Sequence, residues 1–172
     1  MNAGLTRTVE SPRGFAMMEL LAVLLIFALM VGIVGPRIGD REARDRDSQR
    51  LLDAGIIVRA IEQYRDASGD YPANDGSGWS SSAEADFLSV LVQQGHLDSI
   101  PHDPINDDSH QYRYYRYSAG SYGCSGEGNF FILGIRNFET EDARAEVTKH
   151  FNCSDRNWGD EFDYVTGGGQ ED

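Results

Sequence analysis

Residues 15–36 read FAMMELLAVLLIFALMVGIVGP, an apolar run in which Glu19 is the single charged residue. Coiled as an α-helix, this run would be about 30 Å long, which matches the hydrocarbon core of a bilayer. It therefore predicts a transmembrane helix over about residues 15–36. Pro36, together with Gly32, Gly35 and Gly39, predicts a kink or a melted turn at the end of the run.

Glu19 decides between the explanations of this run. A carboxylate costs several kcal/mol in hydrocarbon, so it needs a partner or a function. A secretory signal peptide would have an uninterrupted apolar core and a small-residue cleavage site, and GIVGPRIGD matches such a site poorly. A simple uncleaved membrane anchor explains the length of the run but not the acid.

The residues before the run form a polar leader, 1–14, that ends in Arg13-Gly14. Together with Phe15, Ala-Met-Met and Glu19, this junction closely resembles the processing motif of type IV prepilins and type II secretion pseudopilins. The resemblance implies that prepilin peptidase cleaves between Gly14 and Phe15 and methylates the new amine of Phe15. Ala-Met-Met replaces the more usual Thr-Leu-Ile of the family.

The resemblance also implies a role in assembly for Glu19 and for Pro36, which falls where the family commonly has a helix-kinking proline. Cleavage creates a cationic amine at Phe15, and Glu19 of a neighbouring subunit can pair with it, offsetting the burial of both charges. The implied partners are the peptidase, identical or related subunits in a homopolymer, a membrane assembly platform, and the lipid bilayer before assembly.

The arginines do not fix the membrane orientation. Arg7 and Arg13 precede the apolar run, but five arginines follow it between residues 37 and 50. The resemblance implies a single-pass inner (cytoplasmic) membrane protein with its N-terminus in the cytoplasm. The head would then lie in the periplasm or outside, and in a filament after assembly.

The run leads into a longer helix. Residues 37–50 alternate arginine with acids, which predicts a solvated helix with many close ion pairs. Apolar residues then recur every three or four positions up to Tyr64, and Gly69 is a helix stop. The predicted domains are a leader at 1–14, a long helix at 15–69 and an acidic extracytoplasmic head at 70–172.

The head has the pattern of a small antiparallel sheet. We predict a polar loop at 73–82, a short helix from Phe87 to Gly95, a charged helix at 140–150, and a GGGQED tail without structure; the predicted strands are 111–117, 129–135 and 162–165. A long helix followed by such a sheet is an α+β, pilin-like fold. Strand packing explains the tyrosines at 112–117 more simply than a binding platform does.

The charge of the chain lies on the head. Residues 1–69 hold nine basic and nine acidic residues, whereas residues 70–172 hold six and nineteen, so the whole net charge of −13 belongs to the head. Nucleic acid is excluded as the main partner because its phosphates would be repelled. Solubility, cation binding or a basic partner surface remain as explanations.

Two cysteines, Cys124 and Cys153, allow one intramolecular pairing or two buried free thiols. Because the resemblance places the head outside the cytoplasm, it favours the Cys124–Cys153 disulfide. Such a bond would contribute about 3 kcal/mol by restricting the unfolded chain.

The order of several head motifs resembles the major pseudopilin of type II secretion systems, a family that often binds calcium in a C-terminal acidic loop. These motifs are Tyr71-Pro72, Phe87-Leu88, Leu91, Gly95, Ile100-Pro101, Asp103-Pro104 and the strand from Tyr112. Calcium is the one candidate cofactor, and its candidate ligands are Asp155, Asp160, Glu161 and Asp163. A second acidic group comprises Asp103, Asn106, Asp107 and Asp108. Neither group has EF-hand spacing, and solvated acidic loops are the favoured explanation of both.

No constellation predicts catalysis, since the histidines lack zinc-site spacing and no phosphate-binding glycine loop is present. We therefore expect a structural filament subunit rather than an enzyme. The sequence leaves open whether the filament is a pilus or a secretion pseudopilus. The alternative is a membrane-tethered extracytoplasmic binding module, with calcium as a candidate ligand, that does not polymerise.

Overall fold

The computed structural model describes residues 17–74, 76, 78–124, 128–146 and 151–169, without the side chains of 32–38 and 146. Contacts divide the chain into two compact units, residues 1–39 and 40–172. The division precedes the predicted boundary at 69/70 because residues 40–68 of the long helix pack within the head unit.

Helix α1 runs from Met17 to Ser68. Its helical assignment continues without interruption through Pro36, so the melted turn predicted there is wrong for this structure. The predicted stop is confirmed: Gly69 has a φ of 82°, and its N–H donates to the carbonyl of Arg65 at 2.7 Å. Among the described residues, no helix has an apolar stretch long enough to cross a bilayer.

The head contains a four-stranded antiparallel sheet in the order β1-β2-β3-β6. A separate hairpin, β4-β5, and two short helices complete it. The α+β arrangement predicted from the sequence is confirmed. The elements after α1 are β1 (Ser80–Ser81), α2 (Ser89–Gln93), β2 (Tyr112–Tyr117), β3 (Phe130–Ile135), α3 (Glu141–Glu146), β4 (Asn152–Cys153), β5 (Arg156–Asn157) and β6 (Tyr164–Gly168).

The two faces of the sheet bury different cores. On one face, Tyr112 and Tyr114 of β2 and Leu133 of β3 pack with Ile57 and Ile61 of α1. On the other face, the side chains are mostly aromatic and include Tyr117, Phe130, Trp158 and Phe162. Period-two alternation along β2 and β3 supplies both cores, which is why a short sheet can anchor a helix and still carry a second layer.

Strands β2 and β3 confirm two of the three predicted strands. The third was wrong in its bounds, because Phe162 leaves the ladder to pack in the second core and residues 164–168 pair with β3 instead. The tail prediction was therefore wrong for Gly167 and Gly168, which belong to β6. A Cβ at Gly167 would lie 2.7 Å from the Phe151 ring, so the strand needs glycine there. Residues 170–172 lie outside the described ones.

Two other predictions for the head differ in extent from the structure. The predicted loop at 73–82 includes strand β1, Ser80–Ser81, which pairs with Tyr114 and Arg113. The predicted helix at 140–150 is observed as α3 over Glu141–Glu146, and residues 147–150 lie outside the described part of the chain.

Candidate functional site

The N-terminal part of α1 carries the most exposed apolar surface of the described chain. The large hydrophobic side chains from Met17 to Val31 are 53–81% exposed. They point in all directions around the helix, so no single face of it is polar. Apolar surface on this scale marks a segment that contacts a membrane or other protein chains.

Glu19 lies in the first turn of α1, between exposed hydrophobic side chains. It forms no ion pair with any described residue, so its carboxylate is available to a partner. The other predicted processing and assembly positions lie outside the described part of the chain: Gly14 and Phe15 precede it, and the side chain of Pro36 is not described.

Within the head, a buried charged group fixes α1 to two loops. We call it the Arg50 cluster; it comprises Arg46, Asp47, Arg50, Asp103 and Glu139. Arg50 is fully buried and donates to both carboxylate oxygens of Asp103, at 2.7 and 3.0 Å. Its Nη1 also donates to Asp47 at 2.6 Å and to Glu139 at 2.9 Å. One helix residue is thereby bonded to two distant loops.

The remaining members complete the cluster. Arg46 makes a second two-point contact with Glu139, at 2.8 and 2.6 Å. Asp47 accepts hydrogen bonds from the backbone N–H groups of Glu139 and Thr140 and from the Thr140 hydroxyl. Three carboxylates therefore face two guanidiniums, and neutral donors satisfy the additional negative charge. A buried ion group is stable only when its lone pairs are satisfied in this way.

The contacts within the cluster favour the charged forms of Arg50, Asp103 and Glu139 by shifting their pKa values. The hydrogen bonds from Arg46, followed by those from Arg50, lower the pKa of Glu139 to about 2. Burial by itself would raise the pKa of Asp103, but the bonds from Arg50 and from the backbone of Ile105 outweigh it, so that pKa is lowered. Burial opposes the charge of Arg50 as well, yet its bonds to Asp103 and Glu139 raise its pKa.

The sequence prediction of a solvated helix over 37–50 was wrong for Asp47 and Arg50, which are 2% and 0% exposed. A signal was present in the sequence. Arg50 precedes the buried residues Ala54, Ile57 and Ile61 at spacings of four, seven and eleven, which places it on the buried face of α1. The distant partners Asp103 and Glu139 have no such local signal.

Each of the four candidate calcium ligands accepts a hydrogen bond or forms an ion pair within the head. Asp163 accepts from Arg144 and from the backbone of Phe138, and Glu161 pairs with Arg156. Asp160 accepts from Asn157, and Asp155 accepts from Ser154. Nowhere in the part of the chain that the structure describes do three acidic, histidine or cysteine side chains form a group that could hold a metal ion. Calcium binding by these four residues stays a prediction.

The members of the second acidic group also bond to separate partners. Asp103 belongs to the Arg50 cluster, whereas Asp107 accepts from the backbone N–H groups of Ser109 and His110 and so caps a turn. These backbone bonds lower the pKa of Asp107. Asn106 instead bonds to Ser82.

Cys124 and Cys153 form a disulfide with their Cα atoms 4.8 Å apart, as the resemblance implied. The bond joins the segment after β2 to strand β4. Both cysteines lie against the aromatic core on the second face of the sheet. The disulfide thus fastens the outer layer of the head rather than the layer that contacts α1.

Comparison with known proteins gives one informative relative. It is the type II secretion system core protein G of Escherichia coli strain K12, which is 26% identical over 107 residues, covering 59% of this chain and 72% of that protein. This similarity supports a relationship with the pilin and pseudopilin family. At the level of the family, it bears out the resemblance inferred from the sequence. No protein-family model matches, and no solved structure gives a significant match.

Proposed function

We propose that this chain is a structural, non-enzymatic subunit of a type II secretion pseudopilus. The observation that carries the proposal is the similarity to core protein G of a type II secretion system. The exposed apolar segment of α1 supports it, because a subunit that polymerises through a central helix must present such a surface before assembly.

In this proposal, prepilin peptidase cuts between Gly14 and Phe15 and methylates the amine of Phe15. The lipid bilayer covers the apolar helix before assembly, and related subunits cover it afterwards. A membrane assembly platform would transfer the subunit from one environment to the other. The head would face the periplasm.

Glu19 would set the register of assembly. In the filament it would pair with the amine of Phe15 on a neighbouring subunit, so that a subunit in the wrong register leaves a buried carboxylate unpaired. The absence of an ion pair to Glu19 among the described residues of the isolated chain supports this role, since the carboxylate has no competing partner within the described part of the subunit.

The Arg50 cluster would make the head and the helix within it move together. A filament subunit must transmit load from its helix to its head, and a helix held only by apolar contacts can slide. The bonds from Arg50 to Asp103 and Glu139 fix the position of α1 along its own axis. This gives the buried charges a mechanical role in addition to their contribution to stability.

The test is to produce the full chain together with a prepilin peptidase and a secretion platform. Intact-mass measurement should show an N-terminus at Phe15 with one added methyl group, and electron microscopy should show filaments. Glu19→Ala should abolish or strongly reduce filaments. Glu42→Ala, which removes an exposed acid from the same helix, should leave them unchanged.

Two results would contradict the proposal. An N-terminus elsewhere would refute the processing step. Normal localisation without filaments, in the wild type and in Glu19→Ala alike, would favour the membrane-tethered binding module that does not polymerise.

A further inference from the structure

A cavity of about 650 Å³ opens in the head at the end of the sheet where β2 finishes. Its walls include the aromatic side chains of Trp79, Tyr115, Tyr117 and Tyr122 and the guanidiniums of Arg116 and Arg156. The volume is that of a pocket for a peptide side chain or a small molecule. Trp, Tyr and Arg are also the residue types that dominate the binding energy of protein interfaces.

The residues that line the cavity differ in charge from the head around it, although each of its two arginines also pairs with an acid: Arg116 with Asp70 and Arg156 with Glu161. Among the described residues that line it, none is an aspartate or a glutamate, whereas the head as a whole has an excess of thirteen negative charges. The two arginines that line the cavity are a third of the six basic residues in the head. The wall chemistry thus favours an anionic ligand even though the surrounding surface does not.

The guanidinium of Arg116 is held in place by only some of its hydrogen-bond donors. Its Nη1 donates to Asp70 at 2.9 Å and to the carbonyl of Tyr71 at 3.0 Å. Its Nε and Nη2 donate to no residue that the structure describes. An arginine fixed through one nitrogen can still present two donors to a carboxylate, which is the geometry of the strongest arginine–carboxylate contacts.

Arg156, the second arginine of the cavity, is held by contacts of its own. Its guanidinium carbon lies 4.9 Å from the centre of the Tyr122 ring and 5.4 Å from that of Trp158. It also pairs with Glu161. These contacts orient the side chain before any ligand arrives, so less rotational freedom is lost on binding.

The aromatic wall is likewise already arranged. Trp79 packs on Tyr115 and Phe162, with ring centres 5.7 and 5.1 Å away, and Tyr117 stacks on Phe130 at 5.1 Å. Tyr122 is 41% exposed and offers an accessible ring edge. A ligand would meet aromatic rings that are already arranged, within a mostly polar wall that also carries two arginines.

We propose that this cavity binds an acidic polypeptide segment of a partner protein. Carboxylates of the segment contact Arg116 and Arg156, and an apolar or aromatic side chain next to them packs against Trp79 and Tyr122. The inference does not depend on the proposed filament function, because a tethered binding module could use the same cavity.

The net negative charge of the head repels an acidic ligand. The direct hydrogen bonds between the arginines and the carboxylates of the ligand outweigh this repulsion. At physiological ionic strength, charges more than about 8 Å apart are largely screened. A carboxylate within hydrogen-bond distance of a guanidinium is not screened to the same degree, and its bonds are charge-assisted. The diffuse charge of the head therefore slows the approach of the ligand more than it weakens the bound state.

The test uses the full chain in detergent solution and fluorescence anisotropy of labelled decapeptides. The probe contains four glutamates and one tyrosine, and two matched peptides replace the glutamates with glutamine or lysine. We expect the acidic probe to bind at least about tenfold more tightly than the glutamine peptide, and the lysine peptide to bind least. Arg116→Gln and Arg156→Gln should each weaken the acidic probe about tenfold.

Two further variants separate binding from folding. Arg59→Gln removes the same charge from an exposed site on α1 outside the cavity and should not change binding. Ser118→Glu adds a carboxylate to the wall at an exposed position and keeps both arginines, and it should abolish binding of the acidic probe while the thermal unfolding of the chain stays unchanged.

Equal affinity for the acidic and glutamine peptides would overturn the proposal, because the arginines would then contribute no specificity. The same conclusion would follow if Ser118→Glu and both arginine variants bound the acidic probe normally. No measurable binding of the probe up to about 1 mM, equivalent to about 4 kcal/mol, would also overturn it.

Discussion

Arg50 donates hydrogen bonds to both carboxylate oxygens of Asp103, a residue 53 positions away, and neither side chain is exposed to solvent. The pair connects the middle of α1 to the loop before β2. A buried pair of this kind adds little stability compared with apolar residues of the same size, but losing one partner leaves an unpaired buried charge. The loop and the helix therefore cannot separate without a large cost.

Removing one member of this pair should be strongly destabilising. We expect Asp103→Ala to lower the free energy of unfolding by about 3–5 kcal/mol, because Arg50 would stay buried without its main counter-ion. Urea denaturation followed by circular dichroism measures the change. Asp98→Ala, at an exposed position that pairs with no basic residue in the described part of the chain, is the matched control and should change stability by less than about 0.5 kcal/mol.

The double variant Arg50→Met with Asp103→Ala gives a second check of the same pair. It should be more stable than Asp103→Ala alone, because the unpaired cation is gone. Equal stability of the single and double variants would show that the Arg50–Asp103 contact is not the source of the loss.

Stability should fall in acid because of Glu139. Its pKa in the folded head is lowered from 4.5 to about 2 by Arg46 and Arg50. A lowered pKa means that the unfolded chain binds protons more readily, so the contribution is complete above about pH 4.5 and is lost as the pH falls towards 2. Up to about 3 kcal/mol should disappear across this range.

Urea denaturation between pH 7 and pH 2.5 measures this dependence. Glu139→Gln should be less stable than the wild type at pH 7 and should lose less stability on acidification. Parallel curves for the two proteins would contradict the assignment to Glu139. Glu84→Gln, at an exposed acid outside the cluster, should follow the wild-type curve.

Local patterns predicted the parts of the fold that depend on neighbours in the sequence. The end of α1 at Gly69 and strands β2 and β3 follow from a helix-stop residue and from period-two alternation. Strand β6 was misplaced because it contains Gly167 and Gly168, which carry no hydrophobic pattern. They form a strand because they pair with β3, and the close approach of Phe131 and Phe151 leaves room only for glycine there; both facts depend on residues elsewhere in the chain.

The features of the candidate site also differ in how well the sequence predicts them, because some depend on a short motif and others on distant residues. The resemblance carried by Gly14, Phe15 and Glu19 depends on a short motif, so the sequence was sufficient to state it. The Arg50 cluster depends on pairing residues 53 and 89 positions apart, and an arginine among alternating acids gives no indication of which carboxylates it will meet. The cavity at Arg116 and Arg156 was hidden for the same reason.

Two glycines should respond in opposite directions to substitution by alanine. A Cβ at Gly134 would lie 2.6 Å from the Phe162 ring, so Gly134→Ala should force the aromatic core to shift and cost about 1–3 kcal/mol. Nothing lies within 4 Å of a Cβ at Gly55, in the middle of α1, so Gly55→Ala should stabilise the head by about 0.5–1 kcal/mol. Differential scanning calorimetry of both variants measures the two effects, and a shared sign would contradict the packing seen at Phe162.

The disulfide should contribute to the stability of the outer layer of the head. Cys124 and Cys153 are separated by 29 positions, and closing a loop of this size restricts the unfolded chain by about 3 kcal/mol. We expect reduction to lower the free energy of unfolding by this amount. The variant with both cysteines replaced by serine should unfold at the same denaturant concentration with and without reductant, because it has no bond to lose.

Since the core that contacts α1 lies on the opposite face of the sheet, reduction should leave the far-ultraviolet helix signal of the folded protein unchanged. A loss of helix on reduction, before any denaturant is added, would show that the two layers are coupled more tightly than their separate packing indicates.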